Sequence, residues 1–193
     1  MARRPHTNEL RSARPPNESA FSGCATGVSK RRRGSFPSGA ITIVLVAGSG
    51  GWGEAVRRCA EVAGDLRVVA EASDARTAVA LVRTHRPAVV LVDRKIWRHR
   101  GPLSVASALR EAHRAARILA VASRADDAFT LRVIRDGGHG VIAEETLAGH
   151  LSKAVRCLVA GQAWLTRAQD ARVLAALWRM KEGDRGAGAD FGQ

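Results

Sequence analysis

The segment Leu66–Asp93, LRVVAEASDARTAVALVRTHRPAVVLVD, reads as strand, helix and strand in that order. LRVVAEA is short and rich in β-branched residues, which predicts a strand. Ser73 and Asp74 follow, and both are N-cap types: a short side-chain oxygen there satisfies a backbone N–H that has no partner within the helix. The helix that they open runs to Pro87, where the missing N–H and the ring's bulk end it. AVVLVD is apolar at every position until Asp93. A strand without polar alternation is buried on both faces, so it belongs in a parallel sheet covered by helices on both sides.

The same alternation extends outward from this segment. Upstream, ITIVLVA from Ile41 is a buried strand. GEAVRRCAEVAG follows as a helix, with Ala55, Val56, Cys59, Ala60 and Ala63 on one face and Gly64 as its stop. Downstream, residues 94–102 read as a basic loop and LSVASALREAHRA as a helix. RILAVAS is a fourth strand, and DDAFTLRVIRDGG is a helix with acids at its positive end. GVIAE is a short fifth strand and TLAGHLSKAVRCLVAG a fifth helix. Five strands alternating with five helices through right-handed crossovers predict a doubly wound α/β fold with a five-stranded parallel sheet. Chemistry in such a fold belongs at the carboxyl ends of the strands, which here are Ala47-Gly48, Glu71, Asp93, Ala122-Ser123 and Ala143-Glu144. LTRAQDARVLAALWRM predicts an extra C-terminal helix with Leu165, Ala168, Val173, Leu174, Leu177 and Trp178 near one face. The expected organisation is a disordered basic tail over 1–40, a domain over 41–162, a linker-like helix over 163–181 and a flexible tail over 182–193.

Composition narrows the function classes. The chain has 193 residues, 46% of them hydrophobic, enough for one domain with a sizeable core. Its net charge is +13, of which residues 1–40 hold +6 through eight basic and two acidic side chains. The tail run KRRRG is suited to nonspecific contact with phosphates or acidic partners. No apolar run approaches the roughly 18 residues of a membrane span, and the basic N-terminus lacks the apolar segment of a secretory signal. Cys24, Cys59 and Cys157 are few and scattered, which suits a reducing, cytoplasmic setting. The six histidines show no ligand spacing, so no metal site is expected. Ser49 lacks a His–Asp partner set, so no catalytic residue and no enzyme activity is expected. Trp52, Trp97, Trp164 and Trp178 read as packing or interface residues rather than a stacking platform.

One motif competes for the function. VLVAGSGGWGEA, Val44–Ala55, places Gly48, Gly50 and Gly53 in a G-x-G-x-x-G pattern between a strand and a helix. That is the setting in which backbone N–H groups cradle a pyrophosphate at a helix N-terminus. Glu71 lies about 20 residues further on, where a ribose-binding acid belongs. This gives the alternative reading, a small nucleotide-binding Rossmann-like protein. Against it, Trp52 is bulky beside the crowded turn, and nothing downstream offers a substrate pocket.

The strand Ile41–Val46, the segment Leu66–Asp93 and the stretch Arg117–Thr166 closely resemble the receiver domain of bacterial response regulators. The kinship is greatest with receivers that precede a LuxR-type helix-turn-helix. Its specific signals are a strand ending in Asp93, DGGHG before a short strand, and AVRCLVAGQAWL closing the last helix; the resemblance spans roughly residues 41–167. The resemblance implies a flavodoxin-like sheet of order 2-1-3-4-5 and puts Asp93 at the phosphoacceptor position. It also implies two acids after the first strand that hold Mg²⁺, a hydroxyl ending the fourth strand, a lysine after the fifth and an aromatic on the fifth. Those positions hold Ala47 and Gly48, Ala122, Glu144 and Val141. A carboxylate without neutralising cations is a poor acceptor for an anionic phosphoryl group. Arg94, Lys95, Arg98 and Arg100 follow Asp93 and offer cations to pair with it; the other reading is that Asp93 caps or hydrogen-bonds within its loop. The expectation is an atypical receiver without Mg²⁺-dependent phosphorylation, acting through a homodimer, another response regulator or a histidine kinase. The residues after Trp164 are too few for a helix-turn-helix domain, so sequence-specific DNA binding by this chain is not expected.

Overall fold

The computed structural model describes residues 39–48, 51–97 and 104–186. The basic tail with KRRRG, Cys24, Ser49 and Gly50, Arg98 to Arg100 and the last residues from 187 lie outside the described residues.

Five parallel strands form one sheet: β1 (Ile41–Val46), β2 (Leu66–Ala72), β3 (Val89–Asp93), β4 (Arg117–Ala122) and β5 (Val141–Ala143). Their order is β2-β1-β3-β4-β5, the order that the receiver resemblance implied. The helices are α1 (Trp52–Ala63), α2 (Ala75–His85), α3 (Arg94–Trp97), α4 (Val105–Ala112), α5 (Asp127–Arg135), α6 (Glu144–Val159) and α7 (Arg167–Gly186). The expected basic loop from residue 94 is corrected in its first part, since Arg94–Trp97 is a helical turn. Asp93 opens that turn by accepting the Lys95 backbone N–H at 2.7 Å.

The uniformly apolar strands feed two cores. Ile43, Leu45, Val89, Leu91, Leu119, Val121 and Ile142 face α1 and α6. Their neighbours Val44, Val46, Val90, Val92, Ile118, Ala120 and Val141 face α2, α4 and α5. Period-two alternation sends successive side chains to opposite faces, so both faces need apolar residues. Each fully buried Val, Leu or Ile contributes about 1.5–3 kcal/mol.

Caps set the helix limits. Asp74, rather than Ser73, is the N-cap of α2 and accepts the Thr77 N–H at 2.9 Å. Asp126 does the same for α5 with Phe129 at 2.8 Å. Helix α2 ends at Arg86 with φ 45°, a left-handed conformation that glycine usually takes, and Pro87 follows. After α6 the chain turns back beside the edge strand. Trp164 N donates to His139 O at 2.9 Å, and Trp164 O accepts the Val141 N–H at 3.3 Å. Gly140 lies at this crossing, where a Cβ would run into the Trp164 carbonyl.

Helix α7 reaches Gly186, against an expected end at 181. Its start is a reciprocal capping box: Thr166 N–H donates to Gln169 Oε1 at 2.9 Å, and Gln169 N–H donates to Thr166 Oγ1 at 3.2 Å. The expected single apolar face is corrected. Gln169, Val173 and Ala176 are buried towards α5, whereas Ala168, Leu174 and Trp178 are exposed. Among the described residues no helix is long and apolar enough to cross a membrane.

Candidate functional site

Strand β3 ends in Asp93 at the carboxyl edge of the sheet, next to the end of β1. Its side chain is 3% exposed. Helix α1 begins directly across from it, and its first residue, Trp52, is itself 4% exposed. The indole Nε1–H of Trp52 donates to Asp93 Oδ2 at 3.1 Å. The other carboxylate oxygen, Oδ1, takes the Lys95 backbone N–H at 2.7 Å. Both oxygens of the buried carboxylate are therefore occupied by N–H donors from the protein itself.

Of the cations expected to pair with Asp93, Arg98 and Arg100 lie outside the described residues, and Arg94 is engaged elsewhere. Arg94 Nη1 donates to Arg124 O at 2.9 Å and to Asp126 Oδ2 at 2.5 Å, with its guanidinium 4.5 Å above the Phe129 ring. Lys95 contributes its backbone amide. Of the two readings open for Asp93, hydrogen bonding within its own turn accounts for one oxygen, and Trp52 for the other. Trp97 extends the construction by donating to Asp136 Oδ2 at 2.9 Å and meeting Phe129 edge-on. The turn after Asp93 thus grips α5 near both its ends, at Asp126 and Asp136.

The remaining positions of the implied phosphorylation site hold other structure. Ala47 N–H donates to Ala72 O at 2.9 Å, and neither Ala47 nor Gly48 has a side-chain oxygen. Ala122 is fully buried at the end of β4, and Ser123 beside it is exposed. Glu144 stands in the first turn of α6, where a carboxylate complements the helix dipole. Val141 packs in the core with Trp97, Phe129 and Val133. A hard cation such as Mg²⁺ needs several oxygen ligands in octahedral array. A single carboxylate with a buried indole packed on it, beside an alanine and a glycine that bring no side-chain oxygen, does not fit that need. Among the described residues no three His, Cys, Asp or Glu side chains gather as a metal site.

The nucleotide-loop residues are not brought together as that reading requires. Gly53 lies within α1, buried against Leu45. Glu71 is held by Arg57 of α1 in an exposed ion pair. Gly48 is described, Gly50 is not, and the turn between strand and helix leads into Trp52. Sequence reasoning placed Asp93 correctly on its strand but missed Trp52 as its partner. The available signal was a tryptophan at the first turn of a helix facing a strand end that lacks its acids.

No protein-family model matches the chain. The "Probable transcriptional regulatory protein NarL" of Mycobacterium tuberculosis is 28% identical over 102 residues, which is 53% of this chain and 47% of that protein. The solved signal receiver domain of NarL from the same species is 25% identical, with a TM-score of 0.56, covering 64% of this chain and 99% of that domain. A LuxR-family two-component response regulator from Aurantimonas sp. SI85-9A1 is 27% identical with a TM-score of 0.59, over 71% of this chain and 97% of that structure. The body of the chain has the five-stranded, 2-1-3-4-5 fold of these receiver domains and is similar to the receivers of two-component response regulators. Among those, the likeness is to the receivers of NarL and LuxR-type regulators, with an atypical site. The chain spans about half the length of the curated relatives it matches.

Proposed function

We propose that this chain is a receiver-type signalling module that acts by associating with protein partners and does not pass through Mg²⁺-dependent phosphorylation of Asp93. One observation carries the reading: the Trp52 indole lies on the acceptor carboxylate and takes one of its oxygens at 3.1 Å, while the Lys95 amide takes the other. A phosphoryl donor would have to displace a buried aromatic side chain and then transfer its group without a neutralising cation. The positions that would supply that help hold Ala47, Gly48, Ala122 and Glu144. The partner classes are a second copy, another response regulator or a histidine kinase. The place of action is the cytoplasm, in regulation of transcription through those partners and not by catalysis. The nucleotide-binding alternative is not favoured, since Glu71 is engaged by Arg57 and Trp52 closes the turn.

The test is intact-protein mass spectrometry after incubation with acetyl phosphate and Mg²⁺. The expected result is no phosphoryl adduct. An adduct on the wild-type chain that Asp93→Asn abolishes would overturn the proposal.

A further inference from the structure

We propose that the outward face of α7 is the docking surface for an acidic amphipathic helix of a protein partner. The inference rests on the association reading above and names the chemistry of the partner.

Helix α7 is apolar on two opposite sides. Gln169, Val173 and Ala176 form its inward side, and Gln169 Nε2 donates to the buried Thr130 Oγ1 of α5 at 3.2 Å. The outward side carries Ala171, Leu174, Ala175 and Trp178, spaced i, i+3, i+4 and i+7, all exposed. Leu174 is 58% and Trp178 56% exposed. That spacing is a continuous helical stripe, the pattern by which one amphipathic helix lies along another. Leucine and tryptophan exposed to this degree present apolar surface to solvent, and an aromatic anchor beside small residues is what an interface uses.

Charge chooses the occupant. Arg172 and Arg179 border the stripe on one side, Arg167 stands in line with it at its N-terminal end, and all three are exposed. The acid beside the stripe is Asp170, half-buried; Glu182 and Asp184 follow past the stripe's end in the same helix. Arg172 is steadied by an ion pair with Asp127 of α5. A second copy laid antiparallel on the stripe sets the flank with Arg172 and Arg179 against the same flank of its mate, and each copy carries a net charge of +13. A helix with an apolar stripe bordered by Glu or Asp meets both the apolar seam and the arginine rim.

The experiment uses the full chain and two labelled synthetic helices with the same leucine stripe, one bordered by Glu and one by Lys. Fluorescence anisotropy is read at low and high salt. The Glu-bordered helix is expected to bind at least about tenfold tighter than the Lys-bordered one and to weaken with salt. Trp178→Ala is expected to cost about tenfold, the loss of one anchoring aromatic, and Arg167→Glu with Arg179→Glu to reverse the preference between the helices. All these side chains are exposed, so the variants retain the fold, which circular dichroism checks. Equal affinity for the two helices, or indifference to Trp178→Ala, overturns the proposal. Displacement of the Glu-bordered helix by a single-stranded oligonucleotide gives the face to nucleic acid and also overturns it. A dimer in sedimentation velocity that Trp178→Ala dissolves gives the face to a second copy; it overturns the acidic partner while sparing the association reading. A phosphoryl adduct on Asp93 would instead strike at that reading itself.

Discussion

Replacing Asp93 with asparagine keeps the shape of the side chain and changes only what it offers its neighbours. In the wild type both terminal atoms accept: Oδ1 from the Lys95 amide at 2.7 Å and Oδ2 from the Trp52 indole at 3.1 Å. Asparagine has one acceptor oxygen and one NH₂ donor. With the oxygen on Lys95, the NH₂ confronts the indole N–H; with the amide flipped, it confronts the Lys95 N–H at the shorter distance. Each arrangement leaves two donors facing each other in a place that is 3% exposed. Leaving a buried polar group unsatisfied costs about 1–3 kcal/mol, so Asp93→Asn is expected to destabilise by about 2–3 kcal/mol. At about 2–4 °C per kcal/mol for a domain of this size, Tm falls by about 4–12 °C.

The companion variant Trp52→Phe removes the indole N–H and part of the ring volume, at a cost of about 2–4 kcal/mol. In that background the asparagine no longer faces a donor at its second atom. The double variant should therefore be about 1–2 kcal/mol more stable than the sum of the single losses predicts, within the range for residues in direct contact. Urea unfolding of the four proteins measures this cycle. An Asp93→Asn variant within about 0.5 kcal/mol of wild type, or strict additivity, would refute the claim that Trp52 holds the carboxylate.

Three further outcomes follow from local geometry. Arg86→Gly relieves a left-handed residue at the end of α2 (φ 45°) and should stabilise by about 0.5–1 kcal/mol in urea unfolding; a loss would show that the Arg86 side chain matters more than its backbone. Gln169→Ala removes half of the α7 capping box and the bond to Thr130. It should speed amide hydrogen exchange in α7 by about tenfold or more, as expected from losing about 1–2 kcal/mol of local stability, while exchange in β3 and β4 stays as it was. His139 is held below its ordinary value, first by burial and then by Arg117 and Arg110, and its Nδ1 accepts the Ile118 N–H at 3.1 Å. Below about pH 6.5 the unfolded chain binds the proton more readily, so stability should fall as pH drops from there. His139→Asn should flatten that slope; His113, nearer the surface and lowered in the same direction, leaves a residual one.

The strands were legible because burial on both faces forces uninterrupted apolar runs, and the short β-branched run VVLV between Pro87 and Asp93 is too brief for a buried helix. The start of α2 was legible because Asp74 is a short acceptor at the one place where backbone donors need it, whereas Ser104 and Asp126, which cap α4 and α5 in the same way, read from the sequence as part of their helices. The turn Arg94–Trp97 was not legible, because its basic residues look like loop and its helical form depends on Asp93 capping it and on Trp97 reaching Asp136. The two-sidedness of α7 also escaped, since its apolar residues fit one face only if Gln169 is taken for a surface residue; instead the glutamine goes inward to Thr130. Trp52 is the instructive miss. Its place beside the glycines reads as steric trouble for a nucleotide, and only the fold shows that β3 ends across from it.

That placement accounts for a buried aspartate at a strand end that lacks acids beside it. An aspartate without its metal ligands is an uncompensated carboxylate in a buried position, which proteins do not leave unpartnered. Ala47 and Gly48 leave space beside the carboxylate and offer no oxygen to hold a cation against it. A tryptophan at the start of α1 answers both deficits at once, filling the volume with its rings and supplying an N–H to Oδ2. On this argument, restoring acids at 47 and 48 alone does not make a metal site, because the indole still stands in it. Cutting Trp52 back as well is the necessary second step. Calorimetric titration with Mg²⁺ should stay flat for Ala47→Asp with Gly48→Asp and turn positive when Trp52→Ala is added. Binding by the two acids without the tryptophan change would show that the indole yields freely, and with it the premise that Asp93 is locked.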